Sequence, residues 1–138
     1  MRSFLVPVLA LAVLLAAPVA RADADRDSAI QAIIQGQIDA FLADDLDTAF
    51  TFASPGIKGM FRTPERFGEM VRSGYPMVWR PAQVRYLDLR AHPPGGKVQR
   101  VMIIDQSGAL HLLDYLMIRT DAGWQIAGVQ LLRGGVGA

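Results

Sequence analysis

Three polar side chains interrupt apolar stretches in the C-terminal half of the chain. Arg100 lies in the stretch KVQRVMII, Asp114 in LHLLDYLM and Gln130 in AGVQLLR. A buried charge is costly unless it is paired and hydrogen-bonded, so the pattern predicts an Arg100–Asp114 ion pair with Gln130 bonded to the remaining carboxylate lone pair. The functional alternative places all three at the floor of a cavity, where Arg100 would hold a carboxylate or carbonyl group of a ligand.

A catalytic interpretation of the same residues makes Asp114 a general base. Such a base would need a hydrogen-bond donor for the developing oxyanion, and Tyr86 or Tyr115 would be the candidate donor. Arg100 beside Asp114 argues against this chemistry, because a carboxylate paired with a guanidinium is a weak base. We therefore assign no catalytic residue and keep the enzyme as the alternative hypothesis.

Large aromatic residues provide a second candidate feature. Tyr75, Met77 and Trp79 follow the third predicted helix, where bulky side chains suit the lip of a site for an apolar ligand. Closing the hydrophobic core is an equally good explanation of the same residues. We group Tyr75, Trp79 and Tyr86 with the polar row as the candidate ligand-binding set.

No metal or cofactor site is expected. Asp23, Asp25 and Asp27 have the spacing that opens a calcium-binding loop, but Ser28 and Ile34 stand where such a loop needs Gly and Glu. Helix capping explains these aspartates better. Neither of the two histidines has a second His or Cys at ligand spacing, and the chain has no Cys.

Apolar residues at helical spacing predict three helices before residue 80. The first carries Ile30, Ile33, Ile34, Ile38, Phe41 and Leu42. The second begins at Asp44–Asp47 and ends at Pro55–Gly56. The third begins with Thr63 as N-cap and Pro64 as its first residue, and Gly74 suits a left-handed stop.

The second half of the chain is rich in β-forming residues. Four runs, at 82–91, 97–105, 109–119 and 124–133, are separated by turn residues. The last two connections are typical of three-residue hairpin loops with Gly in the left-handed conformation. Helices followed by an antiparallel meander predict an α+β fold, with three N-terminal helices packed on a curved four-stranded sheet.

The hairpin loops also predict the register of the sheet. If Asp105 pairs with Ala109, Arg100 lies opposite Asp114. If Thr120 pairs with Trp124, Asp114 also lies opposite Gln130. The polar row shares its face with Met102, Ile104, Leu110, Leu112, Leu116, Ile118, Ile126 and Leu132. Because side chains alternate along a strand, the residues between them form a second apolar face.

Each of the two apolar faces of the sheet must be covered by another part of the protein or by another chain. Three helices on one side cover only one face, so we expect the other to contact a second copy of the chain. We assign the face of the polar row to the cavity and the face of Leu113 to the homodimer interface.

The first 22 residues have the layout of a cleavable signal peptide. Arg2 provides the positive end, Leu5–Ala17 is an apolar run, and Ala20–Ala22 places small residues where a signal peptidase acts. The run is short for a membrane span, which needs about 20 residues, so no stable membrane insertion is expected after cleavage. Without Cys there is no lipid attachment and no disulfide.

Residues 23–138 form one domain by length. Removing the leader takes away two arginines and no acid, which leaves 12 basic against 13 acidic residues and a formal net charge of −1. A nearly neutral domain has no electrostatic basis for binding nucleic acid.

Three predicted helices, a four-stranded meander and the ending Gly123-Trp124-Gln125-Ile126 together resemble the nuclear transport factor 2 (NTF2) fold. That superfamily includes ketosteroid isomerase, scytalone dehydratase and the SnoaL-like cyclases. More narrowly, the chain resembles a bacterial family of small exported proteins known only as a domain of unknown function. The stretches that carry this resemblance are 34–61, 75–79, 99–117 and 123–133, and it covers about residues 28–133. The resemblance implies a cone with a cavity between helices and sheet, often dimeric through the sheet, and implies no reaction.

These observations favour an exported, non-catalytic domain that binds a small amphipathic ligand or a protein partner in the cone cavity. Two alternatives stay open: an isomerase-like or hydrolase-like enzyme that uses Asp114, and a structural dimer whose cavity is filled by its own side chains. Cavity size and the pairing of Asp114 distinguish the three.

We expect the protein to be periplasmic or secreted and its mature form to start at Asp23, with cleavage after Ala24 as the second choice. N-terminal sequencing of exported material gives the first residue directly. Recovery of an intact Met1 would contradict cleavage.

Overall fold

The computed structural model describes residues 18–133 of the chain, with side chains from residue 27 onward. Most of the predicted signal peptide, residues 1–22, therefore lies outside the described residues. Within the described part, no helix combines the length and the hydropathy that crossing a bilayer requires.

Helices occupy the first half and strands the second. The helices are α1 (Pro18–Leu42), α2 (Leu46–Thr51), α3 (Pro55–Phe61), α4 (Pro64–Gly74) and α5 (Pro76–Trp79). The strands are β1 (Pro81–His92), β2 (Gly96–Asp105), β3 (Leu110–Thr120) and β4 (Gly123–Leu132). The strands form one antiparallel sheet in the order β1-β2-β3-β4, as the α+β prediction requires.

All three predicted helices are present as α1, α2 and α4, and two short ones are added. Pro55 was expected to end a helix but begins α3, because the Ser54 hydroxyl accepts from the backbone N–H of Ile57 and proline suits a first helical position. Helix α1 begins at Pro18, so Asp25 and Asp27 lie within it and do not cap it.

The junction of α4 and α5 differs from the prediction in one detail. Thr63 caps α4 as expected, accepting from the backbone N–H of Arg66. Gly74 is the last residue of α4, but its backbone is not left-handed, so the expected glycine stop is wrong. The following Pro76 instead begins the single turn of α5.

The predicted register of β2 and β3 is confirmed. Arg100 pairs with Asp114, and the hairpin loop has Gly108 at φ 87°, the left-handed conformation expected there. Asp114 also pairs with Gln130 on β4. The expected Thr120–Trp124 pair is wrong, because the last hairpin is one residue tighter.

A β-bulge in β4 reconciles the tight hairpin with the rest of the register. Leu116 pairs with Gly128 and Met117 with Ile126, so Ala127 is the extra residue. One extra residue reverses the faces of the residues before it. Ile126, expected on the face of Asp114, is therefore buried on the opposite face.

The helices cover the face of the sheet opposite to the one we expected. This inner face, as we call it, is buried beneath the helices and carries Val101, Ile103, Leu113, Tyr115 and Met117. The outer face carries Arg100, Asp114 and the half-buried or exposed apolar residues Met102, Ile104, Leu110, Leu112, Leu116, Ile118 and Leu132. Assigning Leu113 to a dimer interface was thus wrong, since it lies in the core.

Aromatic side chains from the helices fill the layer above the inner face. Phe67 of α4 lies at the centre, with ring centroids 5.9 Å from Phe41, 5.4 Å from Phe50 and 5.9 Å from Phe61. Gly68 lets α4 approach α2 closely, since a Cβ there would meet the Leu46 side chain at 2.6 Å. This packing fixes the helices around the site described next.

Candidate functional site

A cavity of about 240 Å³ lies between the helical layer and the inner face of the sheet. Its sheet wall comes from β3 and β4. Its other walls come from α1, α3, α4 and α5, with Ala53 from the turn between α2 and α3 and Tyr75 from the junction of α4 and α5. The lining residues are Gln37, Phe41, Ala53, Ile57, Met60, Phe61, Phe67, Met70, Val71, Tyr75, Val78, Tyr115, Ile126, Gly128 and Val129. This lining is almost entirely apolar, which is typical of a site for a small apolar molecule.

The bulge in β4 helps to build the cavity wall. It turns Ile126 inward, where its backbone N–H donates to Phe52 O at 2.9 Å and its carbonyl accepts from Ser54 N at 2.8 Å. These two bonds attach the turn between α2 and α3 to the sheet beside Ala53. The turn therefore lies close enough for Ala53 and Ile126 to share the wall.

The cavity opens to solvent beside α3. Met60 lines the cavity and is 71% exposed, the highest value among the large apolar side chains of residues 27–133. Ile57, Phe61 and Met70 are half-buried around it. An exposed apolar rim of this kind is typical of a ligand-binding groove.

Three polar side chains reach the lining, and two of them have protein partners. Gln37 donates from Nε2 to the carbonyl of Ala49 at 3.1 Å. The Tyr75 hydroxyl donates to the carbonyl of Val129 at 3.1 Å. The first bond joins α1 to α2, and the second joins the end of α4 to strand β4 of the sheet.

Tyr115 is the third polar side chain. It is fully buried, and its hydroxyl oxygen has no hydrogen-bond partner among the described residues. Burial raises the pKa of this phenol above its usual value, with Tyr86 and Tyr75 as further causes, so the hydroxyl keeps its proton. Tyr115 therefore carries a neutral, fully buried hydroxyl without a partner among the described residues.

The structure separates the aromatic residues predicted for the site. Tyr75 lines the cavity, as expected. Trp79 does not: its ring packs on Phe41 with centroids 5.5 Å apart, and the Arg80 guanidinium lies 4.7 Å from the ring centroid. Tyr86 is half-buried and donates its hydroxyl proton to Gln35 Oε1 of α1 at 2.8 Å.

The polar row lies on the outer face and not at the cavity floor, so that prediction is wrong. Arg100 donates to Asp114 from Nε at 3.0 Å and from Nη2 at 3.2 Å, which confirms the predicted ion pair. Arg90 supplies the third bond, from Nη2 at 2.7 Å. Gln130 is exposed and makes no described bond to Asp114, so Arg90 takes the role expected of Gln130.

Arg90 reaches Asp114 because of a second bulge. The register of β1 shifts between Tyr86 and Leu89, which places Arg90 on the outer face. Gln99 stabilises the bulge from β2, donating from Nε2 to the carbonyls of Leu87 and Asp88 at 3.0 and 3.2 Å. Nothing in the local sequence around Arg90 indicates this bulge.

The charge of Asp114 follows from these contacts. Burial raises the pKa of the carboxyl, but hydrogen bonds from Arg100 and Arg90 and their charges outweigh it, so the pKa is lowered. A carboxylate held by two guanidinium groups outside the cavity is not placed to abstract a proton from a molecule inside it. The enzyme hypothesis therefore loses the residue on which it rested.

His111 also has a structural role. Its Nε2 lies 2.8 Å from Asp105 Oδ2, and Asp105 accepts from the backbone N–H groups of Ser107 and Ala109 in the hairpin loop.

Among residues 27–133, no three His, Asp or Glu side chains are grouped closely enough to hold a metal ion.

Comparison with known proteins identifies the family. The sequence profile described as "Domain of unknown function (DUF4864)" matches residues 23–135. The chain belongs to this family. No curated protein matches the chain significantly.

The fold has a counterpart among solved structures. The chain is similar to an NTF2-like protein of unknown function from Shewanella oneidensis MR-1, with a TM-score of 0.50 and 12% sequence identity. The likeness covers 79% of this chain and 98% of that one. At this identity it shows the fold alone, and it confirms the NTF2-like α+β architecture.

Sequence reasoning missed Gln37 as a lining residue and assigned Tyr115 to the wrong face of the sheet. Gln37 lies on the periodic apolar face of α1, where the pattern predicts only core residues. The sequence did indicate which face the helices cover, because Arg100 and Asp114 share one face and charged residues favour the more exposed side of a sheet. Its correct interpretation would have placed Tyr115 on the cavity side.

We expect Asp114→Leu to lower the free energy of unfolding by about 2 kcal/mol, because Arg100 and Arg90 lose a carboxylate but are 32% and 46% exposed and regain water. Asp114→Asn should cost less, since an amide oxygen still accepts. Urea denaturation at pH 7 measures both. Replacing Arg100 and Asp114 together by leucine should recover part of the loss.

The contribution of Asp114 also depends on pH. Its pKa in the folded protein is below the ordinary value of 3.8, so the stabilisation is full above that value and is lost as the pH falls through the lowered pKa. The wild type and Asp114→Asn should therefore converge in strong acid. An unchanged difference there would contradict this account.

Proposed function

We propose that this DUF4864 protein is an exported, non-catalytic domain that binds one small apolar ligand in its cone cavity. The observation that carries the proposal is the cavity of about 240 Å³ with an apolar lining and an exposed apolar rim. A domain with a purely structural role would fill this space with its own side chains, because close packing stabilises a core.

The size of the cavity limits the ligand. Benzene occupies an apolar cavity of about 150 Å³, and sites for drug-sized molecules begin at about 300 Å³. A volume of about 240 Å³ lies between these values and suits a substituted single ring or a short branched chain. The proposed ligand is therefore smaller than a steroid.

The chemistry of the lining supports binding over catalysis. None of the described lining residues is an acid, a base or a nucleophile poised near neutral pH, and the two tyrosines among them are phenols. Asp114, the one candidate base, lies on the far side of the sheet. This lining supports hydrophobic binding, in which the apolar surfaces of ligand and cavity are removed from water.

We expect α-methylstyrene, an uncharged substituted benzene, to bind the protein and to shift the amide NMR signals of residues around the cavity. Val129→Phe adds volume at the wall and should weaken this binding at least tenfold. Leu131→Phe is the matched control, because Leu131 lies two residues along the same strand, outside the lining and 36% exposed. Absence of binding to the wild type would contradict the proposal.

A second proposal concerns the outer face of the sheet. We propose that two copies of the chain associate through this face, because seven apolar side chains there are only half-buried or exposed. Four strands of about ten residues cover about 19 by 33 Å, or about 600 Å². This is close to the accessible area of about 800 Å² that each partner buries in a stable complex.

We expect the wild type to sediment as a dimer and Leu112→Lys to sediment as a folded monomer, because Leu112 lies between two other apolar residues of this face, Met102 and Leu132. Asp121→Lys, at an exposed hairpin tip, is the charge control and should stay dimeric. A monomeric wild type would refute the association.

A further inference from the structure

Helix α3 lies at the mouth of the cavity and is held weakly along its length. None of its residues is buried, although Ile57, Met60 and Phe61 all line the cavity. Two of its seven residues are the glycines Gly56 and Gly59, and a glycine inside a helix lowers its stability relative to alanine. Segments with few buried contacts are the parts of a fold that rearrange at the lowest cost.

Both ends of α3 are fixed to the rest of the domain. Ser54, before its first residue, is buried, and its backbone N–H donates to the carbonyl of Ile126 at 2.8 Å. Phe61, its last residue, packs its ring on Phe67 with the centroids 5.9 Å apart. A weakly held segment between two fixed points is able to move towards the cavity without separating from the domain.

A strained turn follows α3. Arg62 has φ 69° and ψ −40°, and the backbone N–H of Thr63 donates to the carbonyl of Phe61 at 2.8 Å. A hydrogen bond that spans two residues around a positive φ defines the rare form of the γ-turn, which is strained. Backbone strain of this kind clusters at ligand clamps and switch regions, because its release favours a change of conformation.

Met60 is the side chain of α3 that is placed to cover the mouth. It lines the cavity and is largely exposed, so much of its apolar surface faces water. Methionine is unbranched and flexible, and it adapts to the shape of an apolar partner. An apolar ligand in the cavity would offer Met60 such a partner, and removing both surfaces from water would favour closure.

Resting on the proposed function, we infer that α3 is a lid that closes over a bound apolar ligand. Met60 moves inward to cover the ligand, and the turn at Arg62 is the hinge whose strain is released on closing. Closure removes the ligand and Met60 from water together, so it slows the release of the ligand. The lining selects the ligand, and the lid determines how long it stays bound.

The oxidation of Met60 tests the movement. Hydrogen peroxide converts exposed methionines to sulfoxides, and mass spectrometry of peptides gives the rate at each position. We expect saturating α-methylstyrene to slow the oxidation of Met60 by about fivefold or more, because closure buries its sulfur. Met102, on the outer face, is the internal reference and should keep its rate. An unchanged rate at Met60 with the ligand bound would refute the lid.

The kinetics of binding test the role of the Met60 side chain. We expect Met60→Ala to speed the release of α-methylstyrene about fivefold and to leave its association rate almost unchanged, because Met60 covers the ligand only after entry. Leu42→Ala is the matched control, since Leu42 is another large exposed apolar residue but lies outside the lining. Release at the wild-type rate from Met60→Ala would contradict the inference.

Two substitutions at Arg62 test the hinge. Both remove the guanidinium, but Arg62→Ala keeps the Cβ that makes a positive φ unfavourable, whereas Arg62→Gly adopts this φ freely. Arg62→Gly should therefore melt at a higher temperature than Arg62→Ala. It should also bind α-methylstyrene about three- to tenfold more weakly than Arg62→Ala does, because less strain is left to be released on closing. Equal affinities of the two variants would rule out the hinge.

The outcomes separate the inference from the proposed function. If α-methylstyrene binds but neither protects Met60 from oxidation nor leaves faster from Met60→Ala, the cavity binds ligands without a lid. If α-methylstyrene does not bind the wild type, the proposed function fails and the lid fails with it. The comparison of melting temperatures at Arg62 needs no ligand, so equal values would remove the strained hinge in either case.

Discussion

Burial of the inner face, with Val101, Leu113 and Tyr115 at its centre, is the constraint on which the remaining structure depends. The four strands have apolar residues on both faces, but the helices lie on one side only. Covering one face leaves the cavity beneath the helices and leaves the other face open to water. Both proposed interaction surfaces are thus consequences of a single choice of face.

Two bulges adapt the sheet to that choice. The extra residue Ala127 turns Ile126 inward, where it attaches the helical turn beside Ala53 to the sheet. The shift in β1 places Arg90 on the outer face, where it completes the hydrogen bonding of Asp114. Each bulge changes the face of the residues on one side of it. The bulge in β4 thereby adds Ile126 to the cavity lining, and the bulge in β1 gives the buried carboxylate of Asp114 its second guanidinium partner.

The cavity and the unpaired hydroxyl both reduce stability. A space of about 240 Å³ lacks the contacts that a packed core would make, and Tyr115 is desolvated without a partner in the described chain. Binding sites commonly have such costs, because a site optimised for its ligand is not optimised for the empty protein. The aromatic packing around Phe67 helps to offset these costs.

The sequence determined the local structure and much of the register. Thr63-Pro64 starts a helix, Gly108 closes a hairpin, and counting back from that hairpin places Arg100 opposite Asp114, because these features depend on residues close in the chain. Only the tertiary structure decided which face the helices cover, since both faces are apolar and their choice depends on the summed packing of α1 to α5. That choice of face placed Tyr115 on the inner side. The bulges at Ala127 and before Leu89 were likewise decided by long-range contacts, and with them the inward position of Ile126 and the pairing of Asp114 with Arg90.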